Sequence, residues 1–278
     1  MILNLDKNFK PLDGEEIQFE TFTFSGGEPH IKINPDFDNS QCITLTSRLN
    51  SFNDLGLLCI AVDALQRMDA KLDSLIIPYF PAARQDRLMV KGEPLSVKVY
   101  ADIINNLNFK KVIVYDAHSE VTPALINNCE LATNHGFIQR VVSSIKNDVI
   151  LISPDGGALK KIFKVSESLG GVELVECSKS RDVKTGKLSG FKVYADDLQG
   201  QDCLIVDDIC DGGGTFIGLA NELKKKNAGK LFLAVSHGIF SRGFDDMNCF
   251  ERIFTTNSFS DLEHDCLSQI DLDRELLS

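Results

Sequence analysis

The stretch Cys203-Leu-Ile-Val-Asp-Asp-Ile-Cys-Asp-Gly-Gly-Gly-Thr215 decides the fold class. Its apolar start reads as a strand buried on both faces. That strand delivers two adjacent acids, Asp207 and Asp208. Asp211, Gly212, Gly213 and Gly214 then form a turn, and a helix opens at Thr215. Glycines let backbone N–H groups approach an anion closely, and a helix N-terminus adds a partial positive charge. The same unit recurs on either side. Val149 to Ile152, Val172 to Val175 and Leu231 to Val235 are short apolar strands, with helical spacing over Phe137 to Lys146, Ala158 to Glu167 and Thr215 to Lys225. A last strand falls near Arg252 to Thr255.

Upstream the alternation continues, with strands at Cys42 to Thr46, Ser74 to Pro78 and Val112 to Tyr115, and helices over Asn53 to Met68 and Leu95 to Leu107. Strands alternating with helices predict parallel sheets joined by right-handed crossovers. Ile17 to Phe24 and His30 to Ile33 instead alternate residue by residue, which predicts antiparallel strands around the turn Ser25-Gly-Gly-Glu28. The fold class is therefore α/β, in two similarly wound domains of residues 1–140 and 141–278, each a mainly parallel sheet flanked by helices.

The chain's 278 residues, 43% hydrophobic and 25% charged, suit a globular protein and leave out a disordered or disulfide-framed one. Its 40 acidic against 29 basic residues give a formal charge of −11, which repels polyphosphate. The longest basic run, Lys224-Lys-Lys226, reads as the solvated end of a helix, so no nucleic-acid partner is expected. Met1 to Lys10 lacks a signal peptide's pattern, and no run approaches the ~18 apolar residues of a membrane helix. Cys42, Cys59, Cys129, Cys177, Cys203, Cys210, Cys249 and Cys266 contain no C-x-x-C pair. They read as buried free thiols of a reducing compartment, the cytoplasm of a bacterium or a virus-infected cell.

Ligands of open α/β sheets bind beyond the carboxyl ends of the strands. There the loop Asp211 to Thr215 can cradle a phosphate, while Asp207 and Asp208 can accept from ribose hydroxyls or orient metal-bound water. This segment resembles the phosphoribosyl-binding loop of the type I phosphoribosyltransferase fold. Further elements resemble the ribose-phosphate diphosphokinase (PRPP synthetase) family, in the family's order. They are Phe24-Ser-Gly-Gly-Glu28, Ile77-Pro-Tyr-Phe-Pro-Ala-Ala-Arg-Gln-Asp-Arg87 with Pro94-Leu-Ser96, Val114-Tyr-Asp-Ala-His118, Ser153-Pro-Asp-Gly-Gly157 and Lys179-Ser-Arg181.

The resemblance implies transfer of the β,γ-diphosphoryl group of MgATP to the anomeric hydroxyl of ribose 5-phosphate, giving PRPP and AMP. It implies an ATP site of Phe24, Gly26, Gly27, Glu28, Arg84 and Gln85, with Mg²⁺ at His118 and Asp155. Lys179 and Arg181 would be the catalytic cations of a mobile loop. Asp207, Asp208, Asp211, Gly212, Gly213, Gly214 and Thr215 would hold the ribose phosphate. A homo-oligomer, dimer or hexamer, is expected, because the family's Phe24-type turn completes a neighbouring subunit's ATP site.

Each element also has a reading of its own. Arg84's fork suits a phosphate and Gln85 can read a neighbouring group, but Arg84 and Arg87 can equally form surface pairs with Asp86. Phe24 can stack on a base and Glu28 accept from its amino group, or the segment is an ordinary hairpin. His118 is a ligand or a structural histidine, and Asp155 a ligand or a helix cap. Lys179 and Arg181 lie in a polar stretch that either closes over developing charge or is simply solvated. No Walker A string occurs, so any ATP is held without a P-loop.

Two departures bear on specificity. Gly212 stands where the family commonly has Thr, which would leave room beside the 5-phosphate and makes ADP-ribose, a possible feedstock for NAD rebuilding, the alternative acceptor. Leu88-Met-Val-Lys-Gly-Glu93 lacks the family's basic and serine residues, so allosteric control by phosphate or ADP is not expected. A phosphoribosyltransferase and a non-catalytic regulatory subunit are the remaining alternatives.

Overall fold

A computed structural model describes residues 1–181 and 188–278; the side chains of residues 180, 181, 188 and 189 lie outside the described set. The chain forms two compact units, Met1–Thr133 with Leu272–Ser278, and Asn134–Asp271. The division thus falls a few residues before the expected one after residue 140. The helix that follows Asn134 packs with elements of the second unit, and the last residues return to the first.

In chain order the first unit holds β1 (Ile2–Asn4), β2 (Phe19–Thr23), β3 (Pro29–Ile33), β4 (Cys42–Thr46), α1 (Phe52–Arg67), β5 (Lys71–Ile77), α2 (Ser96–Asn105), β6 (Lys111–Tyr115), α3 (Val121–Leu125) and β7 (Cys129–Ala132). Its sheet runs β1-β4-β5-β6-β7, parallel throughout, while β2 and β3 pair as a separate antiparallel hairpin. Helix α1 starts where the Ser51 hydroxyl accepts from the Asp54 N–H at 3.2 Å. Leu55, Leu58, Ala61, Val62 and Leu65 recur at helical spacing and are all buried.

The second unit holds α4 (His135–Ser144), β8 (Val149–Ser153), α5 (Gly156–Ser168), β9 (Leu174–Arg181), β10 (Leu188–Val193), β11 (Asp202–Cys210), α6 (Gly214–Lys225), β12 (Leu231–Gly238), β13 (Arg252–Thr256) and β14 (Leu267–Ile270). Its sheet order is β10-β9-β8-β11-β12-β13-β14, parallel except where β9 and β10 pair antiparallel. The central strands β8 and β12 are buried along their whole length, apolar from Val149 to Ile152 and from Leu231 to Val235, with Ser236 and His237 buried as well.

The structure corrects the reading of Lys179 and Arg181 as loop residues. β9 continues through Arg181, with Val175 and Cys177 buried in alternation, and β10 pairs against it from Val193 to Leu188. The two residues therefore stand on a strand of a hairpin arm. The rest of the expected lid, residues 182–187, lies outside the described residues, as does the Arg181 side chain. All eight cysteines are free, but only Cys177, Cys203 and Cys210 are fully buried, and Cys42 is exposed. Burial pushes those three thiols up to about 12, so none is a nucleophile near neutral pH.

Candidate active site

In the second unit, parallel register brings three strand ends to one edge. Ile152 of β8 lies opposite Ile205 of β11 on one side and Val175 of β9 on the other. The chain then leaves β8 through Ser153, whose hydroxyl donates to the Asp155 carbonyl at 2.9 Å, and Asp155 caps α5. One oxygen of Asp155, Oδ1, accepts from the N–H groups of Gly157 at 2.9 Å and Ala158 at 3.0 Å. The other, Oδ2, is ion-paired with Lys179 Nζ. Burial pushes the Asp155 carboxyl up, but Lys179 and the two backbone donors outweigh it and hold it below the usual carboxylate range. Asp155 is thus a cap and, at the same time, a charged group whose Oδ2 faces a cation.

Asp207 lies in the neighbouring strand β11, opposite Val235 of β12. Burial, the neighbouring Asp208 carboxylate and, further off, Asp155 push the Asp207 carboxyl well above the usual range, although it accepts from the Asp208 N–H at 3.0 Å. Asp208 is buried, and its Oδ1 accepts from the Ile209 N–H at 2.9 Å. Two adjacent acids near the end of β11, Asp208 buried and Asp207 half-buried, carry an electrostatic cost that a ribose hydroxyl or a cation would relieve.

The loop Asp211 to Thr215 follows. Gly213 is the N-cap of α6 with φ +73°, a conformation that disfavours a side chain, and a Cβ there would stand 3.2 Å from Met247 Sδ. No side chain caps α6, so its first N–H groups remain available to an anion.

Sequence reading missed the bed on which this loop lies. β11 and β12 are parallel neighbours up to Cys210 opposite Gly238, so the chain after Gly238 must run beside the chain after Cys210. The N–H groups of Ile239 and Phe240 donate to the Cys210 carbonyl at 2.8 and 3.2 Å, and the Ser241 N–H to the Asp211 carbonyl at 3.1 Å. The Ser241 hydroxyl donates to Asp211 Oδ1 at 2.6 Å. Arg242 follows, and its Cδ and Nε stand 3.3 Å from where a Cβ on Gly212 would be. The room expected beside Gly212 is therefore filled by Arg242. Applying the strand-end rule to β12 as well as β11 would have found Ser241 and Arg242.

The first unit carries the remaining candidates. Arg84 and Gln85 are exposed just before α2, where the Gln85 carbonyl accepts from the Val97 N–H at 3.4 Å. Asp86, read from sequence as a surface partner, is instead buried. Burial pushes its carboxyl up, but the Ser119 hydroxyl, Arg87 and the charge of His118 hold it below the usual range, with Arg87 Nε donating at 3.1 Å. Asp86 therefore ties the Arg84 segment to the half-buried His118. His118 itself follows the sharp turn at the end of β6, where Asp116 adopts φ +38° and donates its N–H to Ala132 at 2.8 Å.

Phe24, Gly26, Gly27 and Glu28 form the tip of the β2–β3 hairpin, closed by Phe24 N–H to Glu28 carbonyl at 2.9 Å. Phe24 is 53% exposed, and it clusters with Phe22 and His30 at ring separations of 4.8 to 5.6 Å. Among the described residues no three His, Cys, Asp or Glu side chains converge as a metal site. No described helix is long and apolar enough to cross a membrane. A cavity lined by Lys146, Asp148 and Glu173 lies at the start of β8 and β9, away from every site residue of this unit.

A model of the N-terminal domain of ribose phosphate pyrophosphokinase matches residues 9–107, and a phosphoribosyl transferase domain model matches residues 128–265. A ribose-phosphate pyrophosphokinase of Mycoplasma genitalium is 30% identical over 260 residues, covering 90% of this chain and 77% of its own. That of Vibrio parahaemolyticus is 28% identical over 247 residues, covering 85% and 77%. The phosphoribosylpyrophosphate synthetase of Mycobacterium smegmatis has the same fold, with a TM-score of 0.84 at 22% identity over 100% of this chain and 96% of that one.

Proposed function

The chain belongs to the ribose phosphate pyrophosphokinase family, and on that premise we propose that it transfers the β,γ-diphosphoryl group of MgATP to ribose 5-phosphate, forming PRPP and releasing AMP. The observation that carries this reading is the second unit's strand-end arrangement. The acid pair of β11 and an uncapped glycine loop lie on one edge, and Lys179 stands at the same edge on Asp155. The family's N-terminal domain model, matched over 9–107, favours this reading over a phosphoribosyltransferase.

In the reaction the anomeric oxygen of the acceptor attacks the β-phosphorus. The bond from that phosphorus to the α,β-bridging oxygen breaks, and AMP departs with the electron pair. The loop 211–215 would hold the 5-phosphate and Asp207 the ribose hydroxyls. Lys179 and Arg181 would offset charge on the transferring group. Phe24, Gly26, Gly27, Glu28, Arg84 and Gln85 would bind ATP, with Asp86 holding the arginine segment in place. Mg²⁺, when bound, would neutralise phosphate charge; Asp155 is the candidate donor of the second unit and His118 that of the first. The Asp155 donor fits, since it stays ionised and Oδ2 already faces a cation, and Mg²⁺ commonly takes one or two carboxylates plus phosphates. A homo-oligomer in the cytoplasm agrees with the exposed aromatic hairpin and with eight unpaired thiols.

The test is AMP release from MgATP with ribose 5-phosphate, with ADP-ribose and without acceptor, the product being identified by phosphorus NMR. Acceptor-dependent AMP with ribose 5-phosphate is expected. Preference for ADP-ribose would replace the acceptor, and acceptor-independent AMP would overturn diphosphotransfer.

A further inference from the structure

We infer that Arg242 binds the phosphate of the acceptor, its side chain lying in the place that a side chain on residue 212 would fill. The inference rests on the reading of the 211–215 loop as the acceptor site and adds to it a specificity residue. Arg242 follows β12 in a turn bonded to Cys210 and Asp211 through three backbone N–H groups and the Ser241 hydroxyl. Phe240 at φ +45° and Gly243 at φ +70° make that turn sharp enough to send residue 242 back over the loop. The result is contact: Cγ, Cδ and Nε of Arg242 all lie within 3.6 Å of the position a Cβ on Gly212 would take.

Charge gives the contact its purpose. Asp211 lies in the loop and the charge of Asp207 reaches Cys210 at its start, a hostile setting for a phosphate dianion. The uncapped end of α6 contributes only about half a positive charge. Arg242 brings a full one, and its guanidinium fork matches two phosphate oxygens at once. Among the described residues no ion pair engages Arg242, so its donors are not already committed. Glycine at 212 is thus the complement of arginine at 242: a threonine there would hold a hydroxyl near the phosphate and push the guanidinium away.

The experiment compares Arg242→Ala, Arg242→Lys and Gly212→Thr with the native chain, using ribose 5-phosphate and unphosphorylated ribose as probes. Binding is read by calorimetry and turnover by AMP release. Arg242→Ala should weaken ribose 5-phosphate binding about tenfold to a hundredfold, leave ribose binding unchanged, and leave the KM for MgATP within about twofold. Arg242→Lys should recover part of the loss. Gly212→Thr should weaken ribose 5-phosphate binding in the native chain and add nothing in the Arg242→Ala background. Unchanged affinity for ribose 5-phosphate in Arg242→Ala overturns the inference, and so does an equal loss for ribose, which would make Arg242 a support of the loop. A native chain that binds ribose 5-phosphate through Arg242 but releases no AMP would overturn the proposed reaction and leave the phosphate contact standing. Failure of the native chain to bind ribose 5-phosphate overturns both.

Discussion

Lys179 of β9 and Asp155 at the head of α5 are ion-paired, each about three-quarters shielded, with side-chain exposures of 27% and 22%. Two residues that sequence suggests for different tasks, transition-state stabilisation and metal binding, therefore hold each other before substrate arrives. A cation held by Asp155 would share Oδ2 with the Lys179 ammonium, so the two positive groups would compete for that oxygen.

Lys179→Ala is accordingly expected to lower turnover by about 10²–10³-fold, with much smaller changes in the KM of either substrate. Arg181→Ala should behave alike. Steady-state AMP release at varied MgATP and acceptor checks this. Near-normal turnover in either variant would remove that residue from the catalytic machinery.

Asp86 offers a separate test in the first unit. Its buried carboxylate holds Arg87 and Ser119 and faces His118, so Asp86→Asn keeps the shape and removes the charge. The KM for MgATP should rise about fivefold or more while acceptor binding is unchanged, since the loss of one charge-assisted hydrogen bond costs roughly 1.5–3 kcal/mol. That loss corresponds to a melting drop of about 3–12 °C at roughly 2–4 °C per kcal/mol, so kinetics read well below the variant's own melting temperature keep a folding defect from mimicking the effect. An unchanged KM for MgATP would show that Asp86 merely fills the turn.

The limits of the sequence reading are physical. The apolar runs Val149 to Ile152 of β8 and Cys203 to Val206 of β11 betray their strands, as does the glycine loop between β11 and α6. β7 and β14 have four residues each, too few to show a period. Ser178-Lys-Ser-Arg181 is polar and hides the second half of β9, whose pairing with β10 supplies the hydrogen bonds that its composition does not advertise. Asp86 looked like a surface acid because burial is a tertiary property, and Arg242 escaped notice because its partner is a missing side chain thirty positions away.

The hairpin bears on assembly. Phe22 and Phe24 are about half exposed on β2 and its turn, at 51% and 53%, beside His30. If the tip completes a neighbouring copy's ATP site, Phe24→Ala and Lys179→Ala chains, each weak alone, should regain part of the native activity when mixed and allowed to exchange subunits. Light scattering on the native chain should give a mass above one copy. A fully active monomer would end this prediction.

The last prediction concerns pH. Asp207 is held well above the usual carboxyl range by burial and by Asp208. Between the ordinary value and its own raised one, the native chain binds a proton that the unfolded chain has released, so stability falls as pH rises through that window. Asp207→Asn cannot ionise and can still accept from the Asp208 N–H. Without Mg²⁺ at pH 7.5 it should melt about 2–8 °C higher than the native chain, taking roughly 1–2 kcal/mol for the relieved charge at ~2–4 °C per kcal/mol. Below about pH 4 both chains carry a neutral group there and the difference should vanish. If Asp207 accepts from the ribose hydroxyls as proposed, saturating ribose 5-phosphate should narrow the gap at neutral pH, because the variant then binds it more weakly than the native chain does. Calorimetric melting of both chains across that pH range decides the matter. A destabilised Asp207→Asn at pH 7.5 would mean that the charged carboxylate has a favourable partner in the fold, and the strain assigned to the acid pair would be wrong.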